Sequence, residues 1–515
     1  MHPGINGAER PDKPAYIMAS TGEVVTHGDL DRRSNKGAHY FRSLGLQHGD
    51  AIAICMENNR HFLEICWAAH RAGLYYACTS SYLTAPEVAY IVNDCAAQVF
   101  ISSVAKADVA KDVPVQTPNI HTCLMVGDPI EGFEDWDAAI ADMPDTPIAD
   151  EWEGHDMLYS SGTTGRPKGI KIDLENRKLG EVRPSMQAIM ALYGISEETI
   201  YLSPAPLYHA APLRYNLLMN RVGATTIIME RFDPERALQL IEEHRVTHSQ
   251  WVPTMFVRFM KLPEEVRAKY DVSSMKVAIH AAAPCPVEVK QAMMDWWGPV
   301  IYEYYAGTEG SGFVAANPQE WLAHPGTVGR AIVGELKIMD QDNPEIEVPQ
   351  GEIGQIFFAN GPAFAYHNDA QKTAESRNSK GWTTLGDIGY LTDDGFLHLT
   401  DRKAFMIISG GVNIYPQEIE DRLITHPDVM DAAVIGVPDK DFGEAVKGVV
   451  QLKNTTHAGD AMAEKLIAWC RAELSAIKTP KSIDFMDELP RHANGKLYKR
   501  LLKDRYWGKK DSRII

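Results

Sequence analysis

The sequence has little cysteine, and its few cysteines lie far apart. Only seven occur in 515 residues, and no two of them form a CxxC pair. This spacing excludes a zinc knuckle and a dithiol redox site, and the odd count argues against a disulfide framework. We therefore expect reduced thiols and a cytoplasmic protein.

The chain also lacks a surplus of basic residues and a long apolar segment. Lys and Arg total 51 against 69 for Asp and Glu, which gives a formal net charge of −18. Because binding to a phosphate backbone needs a basic face, we expect no nucleic-acid partner. The most apolar early stretch, 65–74, is interrupted by His70 and Arg71. We expect no export signal and no transmembrane segment.

The length and the local patterns predict an α/β protein with more than one domain. A chain of 515 residues exceeds what one hydrophobic core usually supports. Short β-rich runs alternate with helix-like segments, which favours largely parallel sheets. The β-rich runs are 51–54, 99–101, 223–229 and 276–280, and the helix-like segments are 29–44, 234–244 and 286–297.

After about residue 402 the pattern restarts on a smaller scale. Two predicted strands, 432–437 and 448–452, are joined by a turn at 438–441 and followed by a helix at 463–476. Turns rich in Gly and Asp between 381 and 401 are typical of a domain boundary. We expect a large α/β domain with several subdomains over residues 1–401 and a small α+β domain over 402–515.

A loop rich in glycine and hydroxyl groups is the most informative motif. Residues 159–169 read YSSGTTGRPKG. Glycines allow close backbone approach, and the hydroxyls, Arg166 and Lys168 suit an anion, so the loop indicates polyphosphate binding. It is not a Walker A motif, because Pro167 stands where the second glycine is required. The alternative is a flexible surface loop.

Three further clusters favour the functional interpretation of that loop. They are YYAGTEG at 304–310, GWTTLGD at 381–387 with DRK at 401–403 and SGGVNIYP at 409–416, and PRHANGK at 490–496. In this order, over roughly residues 25–500, the motifs resemble those of the adenylate-forming superfamily of acyl-CoA synthetases, luciferases and peptide-synthetase adenylation domains. Within this superfamily, the chain most resembles the branch of acyl-CoA synthetases, or fatty-acid–CoA ligases.

The resemblance implies a two-step reaction. Such enzymes activate a carboxylate with MgATP to an acyl-adenylate and pyrophosphate, and then pass the acyl group to a thiol. Carboxylate and triphosphate are both anions, so the first step needs cationic screening in a water-poor site. The implied ligands are ATP, Mg²⁺ and CoA, with a mobile C-terminal domain. Only a short tail follows Lys496, which favours a free thiol such as CoA over a fused carrier domain.

The resemblance also assigns a nucleotide site. Thr308 is implied to contact phosphate, and Glu309 to hold Mg²⁺, a hard cation that prefers oxygen ligands. Tyr305 would lie against adenine, while Asp387 and Arg402 would bind the ribose hydroxyls. The full implied set is Ser160, Ser161, Gly162, Thr163, Thr164, Gly165, Lys168, Ala283, Pro284, Tyr304, Tyr305, Ala306, Gly307, Asp387 and Arg402.

Lys496 resembles the adenylation lysine of the family, which bridges the attacking carboxylate and the α-phosphate. Alone it would be one more exposed lysine, but the preceding PRHANG supports the functional interpretation. With Thr308 and Glu309, His209 completes the implied catalytic set. A lone histidine among apolar residues is more often a core group; the family pattern makes it a positioning residue near the acyl carboxylate. Gly410 and Gly411 are implied to bind CoA.

The implied acyl pocket is apolar. Residues 208–213 carry no acid that could bind an α-ammonium group, which argues against an amino-acid substrate. The implied lining is His209, Ala210, Ala211, Trp251, Ala282, Tyr304 and Ala306, and we favour a fatty or fatty-like acid. Aryl and cinnamic acids are the close alternative, because Ala306 narrows a tunnel that glycine would leave open.

A catalytically inactive nucleotide-binding protein is the alternative of another class. The presence of Glu309, Asp387 and Lys496 argues against it. The chain departs from the family pattern at Leu385, where threonine is usual, and at Ala404 and Phe405, where the hinge commonly carries polar or acidic residues. The expected partners are the carboxylic acid, ATP and CoA, and a homodimer is left open.

Overall fold

The computed structural model describes residues 1–160, 167–174, 177–440, 442–491 and 497–507. Within these ranges the chain packs into two compact units. Unit 1 comprises Met1–Trp251, Lys261–Ile279 and Phe364–Thr373, and unit 2 comprises Val252–Met260, His280–Ala363 and the described residues from Ala374 onward. In this part of the chain, no helix is both long and apolar enough to cross a membrane.

Capping residues explain where several helices begin and end. Thr26 and Thr84 each form a capping box, with Asp29 and Glu87 as the respective acidic partners. Gly194 ends a helix in the left-handed conformation. The described residues form the helices α1 Pro3–Glu9, α2 His27–Ser43, α3 Phe62–Arg71, α4 Ala85–Asp94, α5 Ala107–Ala110, α6 Trp136–Ile140, α7 Pro184–Tyr193, α8 Ala210–Val222, α9 Pro234–His244, α10 Pro253–Met260, α11 Glu264–Arg267, α12 Val287–Trp297, α13 Pro318–Ala323, α14 Ala370–Glu375, α15 Pro416–Ile424, α16 Asp460–Arg471 and α17 Lys499–Trp507.

The strands are short in the first half of the chain and longer in the second. They are β1 Pro14–Met18, β2 Val24–Thr26, β3 Ala51–Cys55, β4 Tyr75–Cys78, β5 Ala97–Ser103, β6 Thr122–Val126, β7 Glu134–Asp135, β8 His155–Asp156, β9 Leu158–Ser160, β10 Lys168–Lys171, β11 Ile200–Ser203, β12 Thr225–Ile228, β13 His248–Trp251, β14 Val277–His280, β15 Ile301–Tyr305, β16 Phe313–Ala316, β17 Thr327–Val333, β18 Glu335–Met339, β19 Gly354–Ala359, β20 Ala365–Tyr366, β21 Thr383–Leu391, β22 Leu397–Arg402, β23 Ile407–Ser409, β24 Val412–Ile414, β25 Val429–Asp439, β26 Gly443–Leu452 and β27 Ser482–Phe485.

Unit 1 is built on parallel sheets. One has the strand order β7-β6-β5-β3-β4-β8, and all its pairings are parallel. In the second, β11 pairs in parallel with β12 and β13, and β1 with β12, while β2 is antiparallel at the edge. Every residue of Ala51–Cys55 is buried, as expected for a parallel strand covered on both faces. A small antiparallel sheet has the order β20-β10-β9.

Unit 2 is built mainly on antiparallel sheets. One runs β18-β19-β21-β22-β17-β16-β15 with antiparallel pairing at each step. The C-terminal sheet has the order β24-β23-β26-β25, with β27 parallel to β26. The α/β class is confirmed, but the expectation of largely parallel sheets is wrong for unit 2. Short connections such as 392–396 between β21 and β22 leave no room for crossover helices, so neighbouring strands must be antiparallel.

Two local predictions also need correction. Residues 381–401 consist mainly of the β21–β22 hairpin rather than of three turns. The predicted turn at 438–441 begins later, because β25 continues through Pro438 to Asp439 and pairs with β26 there. Proline fits a strand at an edge or near an end, where no ladder hydrogen bond is needed from its nitrogen.

A buried ionic cluster joins three helices of unit 1. Arg33 of α2 donates to both carboxylate oxygens of Glu64 in α3, at 2.6 and 2.7 Å, and also binds Asp137 of α6. The ligand atoms of His61, Glu64 and Asp137 lie within 4.8 Å of one another, as in some metal sites. Because the guanidinium already compensates both carboxylates, we assign no metal to this group.

Glu64 should make the stability of unit 1 depend on pH. Burial alone would raise the pKa of Glu64, but hydrogen bonds from Arg33 and His61 outweigh burial and lower the pKa to about 2. The stabilisation is therefore complete above the unfolded pKa and is lost as the pH falls from about 5 toward 2. Glu64→Gln should lower the free energy of unfolding by about 3 kcal/mol at neutral pH.

Urea-induced unfolding at a series of pH values tests this prediction. The difference between wild type and Glu64→Gln should shrink as the pH falls. Glu243→Gln is the matched control, because Glu243 forms an exposed ion pair with Arg236 at 3.1 Å and should matter little. A difference that stays constant with pH would contradict the assigned ionisation of Glu64.

Candidate active site

A buried carboxylate lies at the centre of the predicted nucleoside-binding residues. Asp387 on β21 and Arg402 on β22 are direct cross-strand partners. The Nε of Arg402 lies 3.0 Å from Oδ1 of Asp387, whose side chain is 9% exposed. The negative charge of Asp387 is the main cause of the raised pKa of Arg402. Strand register therefore places a permanent cation beside the acid.

Tyr305 completes this cluster from β15. Its hydroxyl donates to Oδ2 of Asp387 at 2.8 Å. Burial, together with the Asp387 charge, raises the pKa of Tyr305 well above its ordinary value, so the phenol remains a donor. The ring stacks on Phe358 with centroids 6.1 Å apart and an interplanar angle of 20°. The structure thus brings together Tyr305, Asp387 and Arg402.

The next residues form a tight turn that presents Thr308 and Glu309. The N–H of Gly310 donates to the carbonyl of Gly307 at 3.1 Å, and Gly310 has a φ of +69°. A Cβ on Gly307 would lie 2.5 Å from Oε2 of Glu309 and 2.6 Å from Cδ2 of Leu385. The missing side chain of Gly307 therefore lets the Glu309 carboxylate approach the backbone.

Tyr304 and Ala283 to Pro284 were also predicted to lie near the nucleotide. Tyr304 precedes Tyr305 on β15 and stacks on Phe313, with centroids 5.1 Å apart and an interplanar angle of 17°. Ala306 directly follows the strand and is half-buried, as are Ala283 and Pro284. Ala282, assigned to the acyl pocket, is exposed and has a φ of +78°. That left-handed conformation is strained for a residue with a side chain.

The predicted phosphate loop connects two antiparallel strands of unit 1. Ser160 and Lys168 are register partners at the facing ends of β9 and β10, which pair as an antiparallel β9–β10 hairpin. The predicted contacts Ser161, Gly162, Thr163, Thr164 and Gly165 lie outside the described residues. The Nζ of Lys168 lies 5.2 Å from the ring centroid of Tyr366.

Asp94 and His367, which lie outside the motifs, hold the base of this hairpin. The hydroxyl of Tyr159 donates to Oδ2 of Asp94 at 2.7 Å. The backbone N–H of His367 donates to the carbonyl of Gly169 at 2.8 Å, and its ring lies 2.9 Å from the carbonyl of Asp94. A Cβ on Gly169 would lie 2.9 Å from the Tyr159 ring. The hairpin is therefore anchored by segments distant in sequence.

The predicted acyl-pocket residues of unit 1 lie at two strand-to-helix connections. His209 directly precedes α8, which begins at Ala210 and Ala211, and all three are half-buried. The ring of His209 packs edge-on against Tyr208 with centroids 4.6 Å apart. Trp251 ends β13, is 1% exposed, and donates from Nε1 to the hydroxyl of Ser249 at 2.6 Å. Trp251 is thus firmly fixed.

The C-terminal predictions fall partly outside the described residues. Gly410 and Gly411 form the two-residue turn between β23 and β24, with φ values of +57° and +79°. Two consecutive positive φ angles suit glycine and a type I′ hairpin. Both glycines are exposed. Lys496 lies outside the described residues, between Arg491 and Leu497.

Sequence reasoning missed Phe358, the ring that supports Tyr305. A Cβ on Gly312 would lie 2.1 Å from the Phe358 ring, so this glycine makes room for the stack. Phe358 is an ordinary buried residue of β19, and a central strand position gives no sign of a contact made with a ring distant in sequence. Leu385, the departure from the usual threonine, packs against the apolar cluster that contains Phe358.

Comparison with known families identifies the class of protein. The family described as AMP-binding enzyme matches residues 5–365, and its C-terminal domain family matches residues 418–496. The chain therefore belongs to the family of AMP-binding enzymes, and it is a ligase of the adenylate-forming superfamily. The resemblance inferred from the motifs is confirmed, as is a fold with a large N-terminal and a smaller C-terminal domain.

Individual relatives match nearly the whole chain. The long-chain-fatty-acid–CoA ligase FadD13 of Mycobacterium tuberculosis (strain ATCC 25618 / H37Rv) is 29% identical over 507 residues, 96% of each chain. The feruloyl-CoA synthase of Amycolatopsis sp is 31% identical over 501 residues, again 96% of each chain. The ATP-bound structure of MatB from Rhodopseudomonas palustris aligns with a TM-score of 0.80 and 25% identity, covering 99% of each chain.

Asp387→Ala should weaken ATP binding more than it changes the choice of acid. Removing a charged acceptor should cost about 1.5 to 3 kcal/mol, which corresponds to a roughly ten- to hundred-fold higher KM for ATP. Steady-state kinetics with ATP and a panel of acids measure both effects. Asp394→Ala is the matched control, because Asp394 lies in the turn of the same hairpin and pairs only at the surface with His324. A shifted acid preference at unchanged ATP affinity would contradict this placement.

Proposed function

We propose that the protein is an ATP-dependent CoA ligase. It converts a hydrophobic monocarboxylic acid, fatty or fatty-like, to the acyl-CoA through an acyl-adenylate, with release of AMP and pyrophosphate. The observation that carries this proposal is the Tyr305, Asp387 and Arg402 cluster, in which one buried carboxylate accepts at 2.8 Å from a phenol and lies 3.0 Å from a guanidinium. It occurs in a chain that matches AMP-binding enzymes.

In this proposal Asp387 binds the ribose. Each carboxylate oxygen can accept two hydrogen bonds, so one acceptor site on each remains after Tyr305 and Arg402 have been satisfied. Arg402 compensates the negative charge of the carboxylate, and the two remaining acceptor sites can bind both ribose hydroxyls. The ring of Tyr305, held in place by Phe358 and Asp387, lies against adenine. Ala283 and Pro284 flank the base.

The phosphates are assigned to the hairpin from Ser160 to Lys168 and to Thr308. The Glu309 carboxylate fits Mg²⁺, because it offers the oxygen ligand that this hard cation prefers and lies where a Cβ on Gly307 would clash at 2.5 Å. When bound there, Mg²⁺ would screen the triphosphate charge. Lys168 adds positive charge at the start of β10, and Thr308 offers a hydroxyl from its own turn.

Adenylation then depends on positioning and charge. A carboxylate oxygen of the acid attacks the α-phosphorus, and the bond to the bridging oxygen of pyrophosphate breaks. Lys496 bridges the two anions, and its charge is most useful where negative charge is shared in the transition state. His209, at the start of α8, orients the acid. Its role is positioning, and no proton transfer is assigned to it.

Thioester formation follows after a change in the small domain. The sulfur of CoA attacks the acyl carbonyl, and AMP leaves with the electron pair of the broken C–O bond. We assign residues 402–515 to a mobile domain that turns relative to residues 1–401, so that Gly410 and Gly411 face CoA in place of Lys496. Both glycines are exposed; the N–H of Gly410 donates to the carbonyl of Phe442 at 2.8 Å, so the backbone of Gly411 is the part of the turn offered to a ligand.

The nature of the acid has a second candidate. The relatives include both a fatty-acid and a feruloyl-CoA enzyme at similar identity. An aryl or cinnamic acid is therefore the alternative substrate, favoured by Ala306 and by the rigid aromatic wall that Tyr304 forms with Phe313.

Pyrophosphate release from ATP is the direct test. In the presence of Mg²⁺, wild-type protein should release pyrophosphate from ATP with fatty acids, at a rate that depends on their chain length. The rate should rise when CoA is added. Release only with cinnamic or benzoic acids would select the aryl alternative. Release with none of the tested acids would contradict the proposal. We also assign the protein to the cytoplasm, because all seven cysteines are free thiols.

Lys496→Ala should abolish adenylation and leave thioester formation largely intact. The lysine charge serves only the first half-reaction, so supplied acyl-adenylate should still be converted to acyl-CoA. Single-turnover assays of each half-reaction measure this. Lys453→Ala, at an exposed position of the small domain, is the control. Equal losses in both half-reactions would contradict the assigned role.

Ala211→Phe should exclude long or bulky acids and spare short ones. Ring atoms added to a packed site cause strain of about 1 to 3 kcal/mol, whereas an acid too short to reach the ring meets no clash. The measurement is kcat/KM over a chain-length series together with the melting temperature. Ala191→Phe, at an exposed position of α7, is the control. A uniform loss with a lowered melting temperature would mean that Ala211 is only a helix contact.

A further inference from the structure

A second buried carboxylate lies two residues before Tyr305. Oε2 of Glu303 on β15 accepts a hydrogen bond from Nζ of Lys290 at 2.6 Å and lies 3.2 Å from Nε2 of His280. The side chains of Lys290 and His280 are 0% exposed, and that of Glu303 is 7% exposed. The motifs that identify the family include none of these three residues.

The three residues come from three elements that surround one loop. His280 is the last residue of β14, Glu303 lies in β15, and Lys290 lies in the first turns of α12. The chain between β14 and α12 is the loop 281–286, which carries the strained Ala282 and the predicted adenine contacts Ala283 and Pro284. The two predicted walls of the adenine site are Tyr305 and the loop 281–286. Both therefore begin next to residues of this cluster.

Because its charges are buried, this cluster tolerates little change in the distance between its members. Burial would raise the pKa of Glu303, but His280 and Lys290 outweigh burial and lower it to about 2. Burial lowers the pKa of His280, so the counter-charge at neutral pH is the Lys290 ammonium. Removing one member of a buried ion pair leaves the other charge uncompensated, so the two groups must stay in contact.

Aromatic rings limit how far Lys290 and His280 can move. The Nζ of Lys290 lies 4.8 Å from the ring centroid of Trp321 on α13. The ring of His280 packs edge-on against Phe256 of α10 at 5.5 Å. Because the two partners are held by their own surroundings, the Glu303 carboxylate links β15 to the residues on either side of the loop.

We propose that Glu303 is a positioning residue for the nucleoside. By binding Lys290 and facing His280, its carboxylate sets the distance between β15, which carries Tyr305, and the loop that carries Ala283 and Pro284. The inference rests on the proposed function, because it takes these residues as the walls around adenine. Glu303 itself touches no substrate.

Two substitutions separate side-chain length from charge. Glu303→Asp keeps the charge but withdraws the carboxylate by one methylene, about 1.5 Å. Glu303→Gln keeps the length but removes the charge. Loss of the Glu303 charge can prevent folding. Lys290→Arg is therefore measured as well, because it retains both charges of the pair. Glu235→Asp is the matched control, because Glu235 pairs at the surface with Lys269 at 3.7 Å.

The measurements are the dissociation constant for AMP by calorimetry, the KM values for ATP and for the acid, and the melting temperature. Glu303→Asp should weaken AMP binding and raise the KM for ATP by about tenfold, since small misplacements in a site have large effects. The KM for the acid should change by less than twofold. The control should match wild type in all four quantities.

Two results would overturn the inference. One is AMP affinity within twofold of wild type in the folded Glu303 and Lys290 variants. The other is an equal change in both KM values together with a lowered melting temperature, which indicates a purely structural role. The AMP measurement needs no turnover, so it tests the inference even if wild-type protein releases no pyrophosphate and the proposed function fails.

Discussion

The candidate site is built around one buried carboxylate, that of Asp387, and the two groups that bind it. Asp387 as a whole residue is 6% exposed, and burying an unpaired charge there would strongly lower the free energy of unfolding. Arg402 compensates the charge across the strand pair, and Tyr305 fills one acceptor site of the other oxygen. The rest of this cluster fits the arrangement: the Tyr305 hydroxyl reaches Asp387 from the end of β15, Phe358 supports the Tyr305 ring, and Gly312 leaves space for Phe358.

The same constraint explains how an acidic chain can handle anionic substrates. The net charge of −18 opposes the approach of a nucleotide at long range, but salt screens exposed charges beyond about 10 Å. Binding then depends on local groups. In the proposed function these groups include Lys168, the first residue of β10, and Arg402, whose positive charge is favoured by Asp387. Attraction by charged groups close to the ligand can therefore outweigh the long-range repulsion from the net charge.

The motifs predicted the family, and the alternation of strand-like and helix-like runs predicted the α/β class. The resemblance assigned Asp387 and Arg402 to the same ribose, and their pairing across adjacent strands brings the two together. Local patterning also predicted α9 and β14 closely. The antiparallel sheet of unit 2 was missed, since hydrophobic runs do not reveal strand direction. Phe358, Asp94 and Glu303 were missed for a related reason: each acts through a partner distant in sequence, and each looks like an ordinary strand or helix residue in isolation.

Along β15, the residue assigned to the nucleoside and the residue assigned to the acid lie on opposite faces of the strand. Neighbouring side chains on a strand point to opposite faces. Tyr305 faces Phe358 and Asp387, whereas Tyr304 faces Phe313. A substitution at Tyr304 can therefore alter the wall assigned to the acid and leave the Asp387 contact intact. Because Glu303 lies on the same face as Tyr305, its ion pair with Lys290 supports the nucleoside side of the strand. One strand can thus hold the nucleotide site constant while the acid site varies.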